Sequence, residues 1–320
     1  AQGEVVQRMP PFTQGLFPVD VDLVAGRAEP RAAHIEPPLT EEASVYGALV
    51  LGVRDYVEKH GFPGVVIGLS GGIDSALTLA IAVDALGAER VHAVMMPSEY
   101  TSQLSLDEAA AQAHRMGVRY DVISISEIFK SVQASLSDVF AGTKPDTTEE
   151  NIQARCRGIL LMAISNKQGK MVLTTGNKSE MSVGYATLYG DMAGGFAPIK
   201  DCSKLMVYRL ARYRNSLSVV IPQKVIDRPP SAELRPDQKD TDSLPPYEVL
   251  DAILELFIEA DLSVDEIAAR GYDRVVVGRI LQMVKRNEYK RRQAPPGIRV
   301  SNRAFGRDWR YPITSGYNSY

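Results

Sequence analysis

The run Val65-Val66-Ile67-Gly68-Leu69-Ser70-Gly71-Gly72-Ile73-Asp74-Ser75 constrains this chain more than any other stretch. A short, largely apolar run of this kind reads as a buried strand, and adjacent glycines end it. A helical pattern follows at once and lasts until Gly87. A strand that passes through glycines straight into a helix builds an anion site. The glycines let the backbone turn tightly and approach an oxyanion, and the first helical N–H groups lack partners and point outward. Ser70 and Ser75 add hydroxyl donors. Asp74 is the odd member, because a carboxylate beside a phosphate repels it unless a divalent cation lies between them. The loop lacks the lysine of GxxxxGK[ST] and the spacing of GxGxxG. The residues therefore point to a pyrophosphate held together with Mg²⁺, hence to ATP.

What surrounds the loop decides the fold class. A helix is expected from Thr40-Glu41-Glu42, with Val45, Leu49, Val53 and Val57 at helical spacing, ended by Gly61-Phe62-Pro63-Gly64. Strands follow at 65–69, 91–96 and 120–124 and from Met171. Helices are expected at 74–86, 104–116, near 126–140 and at 148–167. Such alternation implies parallel strands joined by right-handed crossovers. The expected fold is α/β, a doubly wound parallel sheet with helices on both faces. Amphipathic helices are also expected at 246–260 and 273–288. Two segments interrupt the pattern: PSEYTSQLS (97–105) and the proline-rich, charged DRPPSAELRPDQKDTDSLPPYE (227–248). Both read as ligand loops at the carboxyl ends of strands. The second is expected to be mobile alone and ordered with ligand.

Composition narrows the function class. A net charge of -3 argues against a nucleic-acid platform. No apolar run is long enough to span a membrane. The start has neither an initiator Met nor a secretory pattern, so the chain is expected to be processed or part of a longer one. The 2 cysteines, Cys156 and Cys202, give no metal spacing and no disulfide framework, which fits a reducing cytoplasm. His34, His60, His92 and His114 belong to no motif and read as structural.

The SGG-x-DS loop resembles the pyrophosphate loop of the N-type ATP pyrophosphatases. Within that group, the segments TEENIQAR (148–155), TTGNKSEMSVGYATLYGDMAGGFAPIKDCSK (174–204), PPSAELRPDQKDTDSLPPYEVLD (229–251) and NEYKRRQAPPGIRVSNRAFGRDWRYPI (287–313) resemble the NAD synthetases of the glutamine-dependent type. The resemblance covers residues 40–315. It implies adenylation of deamido-NAD by ATP with loss of pyrophosphate, then displacement of AMP by ammonia. It also implies ATP contacts from Gly68, Leu69, Ser70, Gly71, Gly72, Ile73, Asp74, Ser75, Thr175 and Lys204. Asp74 and Glu180 would be the Mg²⁺ ligands, Asp74 from a solvent-facing turn whose substitution leaves the fold intact. Deamido-NAD contacts would come from Asn151, Arg155, Glu180, Asp191 and Lys290. A homodimer is implied, with the helices at 45–57 and 249–258 as expected two-fold surfaces. Residues 1–24 resemble only the last strands of a nitrilase-like glutaminase, residues 25–40 read as a linker, and residues 41–320 as the amidating domain. Neither cysteine lies where a glutaminase nucleophile would, so this chain is expected to take ammonia and not glutamine. The alternatives are another ATP pyrophosphatase such as GMP synthetase, a tRNA-modifying enzyme, or a non-catalytic nucleotide-binding module.

Overall fold

The computed structural model describes residues 3–236 and 238–314. It begins with an exposed antiparallel hairpin, β1 (Val21–Val24) and β2 (Arg27–Pro30). Helix α1 (Glu41–Lys59) is capped by Thr40, whose side chain accepts from the Ala43 N–H at 3.2 Å. Strands and helices then alternate: β3 (Val65–Gly68), α2 (Ile73–Leu86), β4 (Val91–Met95), α3 (Gln103–Met116), β5 (Arg119–Val122), α4 (Ser126–Leu136), α5 (Thr147–Gln168) and β6 (Met171–Leu173). Past β6 the chain is helical: α6 (Lys178–Val183), α7 (Lys204–Leu217), α8 (Gln223–Asp227), α9 (Tyr247–Ile258), α10 (Val264–Ala268), α11 (Arg274–Arg286) and α12 (Glu288–Arg291).

The sheet is parallel throughout, in the order β5-β4-β3-β6. β4 is buried along its whole length and β3 all but its last residue, which is why both are nearly continuous apolar runs. One face packs on α1, α2 and α7 through residues such as Leu49, Ile67, Leu77 and Leu210. The other carries Val66, Val94 and Met96 against Phe129 of α4 and Ile152 and Cys156 of α5. A third apolar cluster joins α6, α9, α10 and α11 through Leu250, Ile253, Ile267 and Ile280. From β3 the chain winds outward to β4 and β5, then returns to place β6 on the other side of β3. The crevice at the carboxyl ends of β3 and β6 is therefore the topological switch point, where ligands bind in folds of this kind.

Two expectations change. The 25–40 stretch is not wholly linker, since Arg27–Pro30 pairs with Val21–Val24 across the expected boundary. Both strands are exposed, so no apolar alternation betrayed them. The apolar faces of α1 and α9 are also not free for a second copy. Leu49, Val53, Val57, Leu250 and Ile253 are each 0% exposed within this chain. Among the described residues no helix is long and apolar enough to cross a membrane.

Candidate active site

The glycine loop is tied to itself before any ligand arrives. The Gly72 N–H donates to Ser70 Oγ at 3.2 Å, the Ser70 N–H to Ser75 Oγ at 3.2 Å, and the Ser75 hydroxyl to the Gly72 carbonyl at 3.0 Å. Gly71 has φ +79°, and a Cβ there would lie 2.5 Å from the Ser105 carbonyl oxygen at the start of α3. Only glycine satisfies both conditions. Gly72 serves as the N-cap of α2 with no side-chain cap, so the first N–H groups of a 14-residue helix remain open to an anion.

Asp74 does not stand at a solvent-facing turn. Its side chain is 17% exposed and lies 2.5 Å, Oδ2 to Nζ, from Lys204, which is itself 2% exposed at the start of α7. Lys204 Nζ is also 3.3 Å from Glu180 Oε1 and stands 5.3 Å from the ring centroid of Tyr247. The Tyr247 hydroxyl in turn donates to Asp240 Oδ2 at 2.8 Å. Asn177 joins the two carboxylates. Its Nδ2 donates to Asp74 Oδ1 at 2.8 Å, its N–H to Glu180 Oε2 at 3.3 Å, and its Oδ1 accepts from the Glu180 N–H at 3.0 Å. This is a capping box at the start of α6, so local helix chemistry fixes where Glu180 points.

Three carboxylates share one ammonium in this cluster. Burial, opposed by Lys204 and reinforced by Asp74 and Asp240, pushes the Glu180 carboxyl up to about 8. Burial likewise raises Asp240. Burial works against the Lys204 ammonium, but Asp74 and Glu180 outweigh it and hold the group charged above its ordinary range. Asp74 Oδ2 and Glu180 Oε1 thus converge on the Lys204 ammonium. Two carboxylates completed by phosphate oxygens are the hard donor set Mg²⁺ takes. Among the described residues no cluster of three or more His, Cys, Asp or Glu is arranged for a metal, so such an ion needs oxygens from a bound phosphate.

Two adjoining cavities open here, of about 400 and about 230 Å³. The larger is lined by Ser70, Gly72, Ile73, Asp74 and Ser75 on the loop side. Thr175, Glu180, Lys204, Asn151, Asp191 and Lys290 line it as well. Gly68 and Leu69 face the smaller cavity, which shares Ser70, Thr175 and Asp191 with the larger. Gly71 shapes the loop from behind. Arg155 lies outside both cavities, on the exposed face of α5, donating to the Leu188 carbonyl at 3.2 Å. In the larger cavity, Thr187 donates through its hydroxyl to Asn151 Oδ1 at 2.8 Å and through its N–H to Asp191 Oδ1 at 2.9 Å. Lys290 Nζ donates to the Gly184 and Ala186 carbonyls at 2.8 and 2.7 Å. Asp191 is open to cavity solvent yet ringed by protein, and that crowding pushes its carboxyl up to about 6.

Sequence reasoning missed Asn177, Asp240, Tyr247 and Arg157. Asn177 had a readable signal, the Asn-x-x-Glu capping pattern ahead of a helix. Asp240 and Tyr247 lay within the 227–248 segment read as a ligand loop, but nothing in the sequence singled them out within it. Arg157 on α5 lines the smaller cavity, donates to the Met96 carbonyl at 3.0 Å, and is pushed down to about 10 by burial. Both cysteines are buried, with thiols raised by burial.

A glycine loop, a capped Glu180 and the lining residues Asn151, Asp191 and Lys290 occupy one crevice, and known proteins share the chain that builds it. The family model for NAD synthase matches residues 45–294. The chain belongs to the NAD synthase family. It is 54% identical over 317 residues to a glutamine-dependent NAD(+) synthetase of Acinetobacter baylyi, covering 98% of this chain and 58% of that protein. Among solved structures, a glutamine-dependent NAD+ synthetase of Acinetobacter baumannii in complex with adenosine diphosphate matches with TM-score 0.69 and 52% identity. That match covers 97% of this chain and 56% of the other. An NH3-dependent NAD synthetase of Campylobacter jejuni matches with TM-score 0.65 and 26% identity, over 79% of this chain and 96% of that one. The chain thus spans little more than half the length of the glutamine-dependent relatives. The alternatives of GMP synthetase and of a tRNA-modifying enzyme give way to the NAD synthase family.

Proposed function

We propose that this chain amidates deamido-NAD to NAD at the expense of ATP. The observation that carries the reading is the meeting of Asp74, Glu180 and Lys204 in one cluster at the open amino end of α2. In this reading the triphosphate lies along the glycine loop, Gly68 to Ser75. The adenosine enters the smaller cavity past Leu69 and Thr175. Deamido-NAD takes the larger cavity along Asn151, Asp191 and Lys290, with Glu180 reaching it. Asp74 and Glu180 would hold Mg²⁺, which when bound neutralises charge on the phosphates. Lys204 then turns from the carboxylates to the phosphate. A carboxylate oxygen of deamido-NAD attacks the α-phosphorus and pyrophosphate leaves. Ammonia next adds to the acyl carbon, loses a proton, and expels AMP with the former carboxylate oxygen.

The nitrogen source proposed for these 320 residues is ammonia. Cys156 and Cys202 are buried, and burial raises both thiols despite Arg157 and Lys178 nearby, which suits neither to be a glutaminase nucleophile. Residues 41–320 are read as the amidating domain and residues 1–24 as the end of a glutaminase-like domain. A homodimer in the cytoplasm is also proposed. Exposed Ile159 and Met162 on α5, beside Arg155, replace α1 and α9 as the surface for the second copy. The non-catalytic alternative is opposed by the presence of both carboxylates together with Lys204.

AMP release with deamido-NAD is the deciding assay, run with ammonium or with glutamine as the nitrogen source. The expected outcome is AMP and NAD with ammonium and neither with glutamine. NAD formed from glutamine in ammonia-free buffer would remove the nitrogen proposal. No deamido-NAD-dependent AMP under either condition would remove the function.

A further inference from the structure

The segment between α8 and α9 is tied to the start of α3 by one carboxylate, Glu233, to which no site role was assigned from sequence. Glu233 Oε1 accepts from the Ser102 hydroxyl at 2.7 Å and the Ser105 hydroxyl at 2.8 Å, and Oε2 from the Ser102 N–H at 3.4 Å. Ser102 is the N-cap of α3, so the carboxylate sits at the positive end of a 14-residue helix. Arg228 closes the group, with Nη1 donating to Ser105 Oγ at 2.8 Å and lying 3.6 Å from Glu233 Oε1. Glu233 adopts φ +50°, a left-handed backbone that a non-glycine residue keeps only when its surroundings hold it there.

This group touches the phosphate loop on its other side. The Ser105 carbonyl is the atom that leaves room for nothing but glycine at position 71. Arg228 lines the larger cavity together with Ser70 and Asp74, while Ala232 and Leu234 line both cavities. From the opposite wall, Gln153 of α5 donates to the Leu234 carbonyl at 2.9 Å. Residues 228–234 therefore run between α3 and α5 as a partition that both cavities share with Ser70, Thr175 and Asp191, Glu233 itself lining the smaller one.

We propose that Glu233 is a positioning residue for ATP. Seated on the amino end of α3, its carboxylate sets the partition in place and holds Arg228 beside the phosphate loop. The proposal rests on the reading of this crevice as an ATP site.

The test measures Mg-ATP affinity of the whole chain by titration calorimetry, alongside kcat and KM for ATP and for deamido-NAD. Glu233→Ala is expected to weaken ATP binding about tenfold, the scale of one charge-assisted hydrogen bond, and to raise KM for ATP alike. The KM for deamido-NAD is expected to stay within about twofold of the wild-type value. Glu233→Gln keeps an acceptor for the two hydroxyls but loses the charge facing Arg228 and the helix end, and is expected to fall between the two. Should Glu233→Ala fail to fold, Ser102→Ala removes one partner from the α3 side and is expected to weaken ATP binding about threefold. ATP affinity unchanged in the folded variants, even with a lowered melting temperature, overturns the proposal. A wild type that makes no NAD, but whose ATP affinity drops on Glu233→Ala, supports the positioning role and removes the proposed function. NAD synthesis with ATP affinity indifferent to Glu233 does the reverse.

Discussion

Two buried ion clusters in this molecule are built from similar parts and balanced differently. Away from the crevice, Arg214 of α7 grips Asp84 of α2 with two bonds, 2.6 Å from Nε and 3.0 Å from Nη2. The Tyr46 hydroxyl completes that carboxylate at 2.6 Å. One positive group meets one negative group, both carboxylate oxygens are used, and three helices are pinned together. At the crevice, Asp74, Glu180 and Asp240 crowd one ammonium, and Asp240 Oδ1 has no hydrogen-bond partner. An arrangement that leaves buried carboxylates in excess is unfavourable for the folded state alone. Such an arrangement suits a place that a ligand completes, as proposed above, whereas the Arg214 cluster is complete as it stands.

The largest expected effect breaks the crevice cluster. Asp74→Asn is expected to slow pyrophosphate release by about 100-fold or more, the scale of losing a group aimed at developing charge. Its melting temperature is expected to fall as well, because Asp74 also neutralises Lys204. Full turnover in this variant would end the metal role. Arg214→Met attacks the balanced cluster and should do the opposite. Leaving Asp84 without its cation is expected to cost about 2–3 kcal/mol in urea unfolding, with turnover of the folded fraction unchanged. A loss below about 0.5 kcal/mol would class Arg214 with ordinary surface pairs and erase the contrast.

The smallest effect sharpens the contrast at a third polar site. His92 in β4 has a 1% exposed side chain, with Nε2 2.8 Å from Asp121 Oδ2 and Nδ1 3.3 Å from Gln168 Oε1. Burial holds its pKa below the ordinary 6.5 despite Asp121, with Arg119 adding to the lowering. The folded state therefore resists a proton that the unfolded state accepts. Stability is complete above about pH 6.5 and is lost as pH falls below it. His92→Gln is expected to lose less stability than wild type between pH 7.5 and 5, read from urea midpoints. Equal losses would show that His92 does not titrate on unfolding.

The geometry of the glycine loop was legible because it is local: strand, glycines and helix are consecutive, and their order alone exposes the helical N–H groups. Glu180 and Lys204 were readable only through the family resemblance, as isolated charges say nothing of where they point. That Lys204 would lie between Asp74 and Glu180 was not legible, since three elements far apart in the chain must pack to make it so. The apolar stripes of α1 and α9 show the same limit. Periodicity announces that a face is covered but not by what, and here the cover is the rest of the chain. Strand β1 falls within the stretch expected to hold strands, whereas β2 escaped because an exposed strand needs no apolar alternation.

The neighbouring positions of β3 and β6 have a consequence in time. Val65 pairs with Met171, about a hundred residues further along the chain, and only after β4 and β5 have been wound on the other side. Contacts so distant in sequence form late, after the entropy of closing the intervening loop has been met. The crevice does not exist until that closure, and Lys204 arrives later still. Contact distances of this kind favour a cored half-sheet first and a crevice completed late in folding. Until the crevice closes, the early sheet stands on its packing alone.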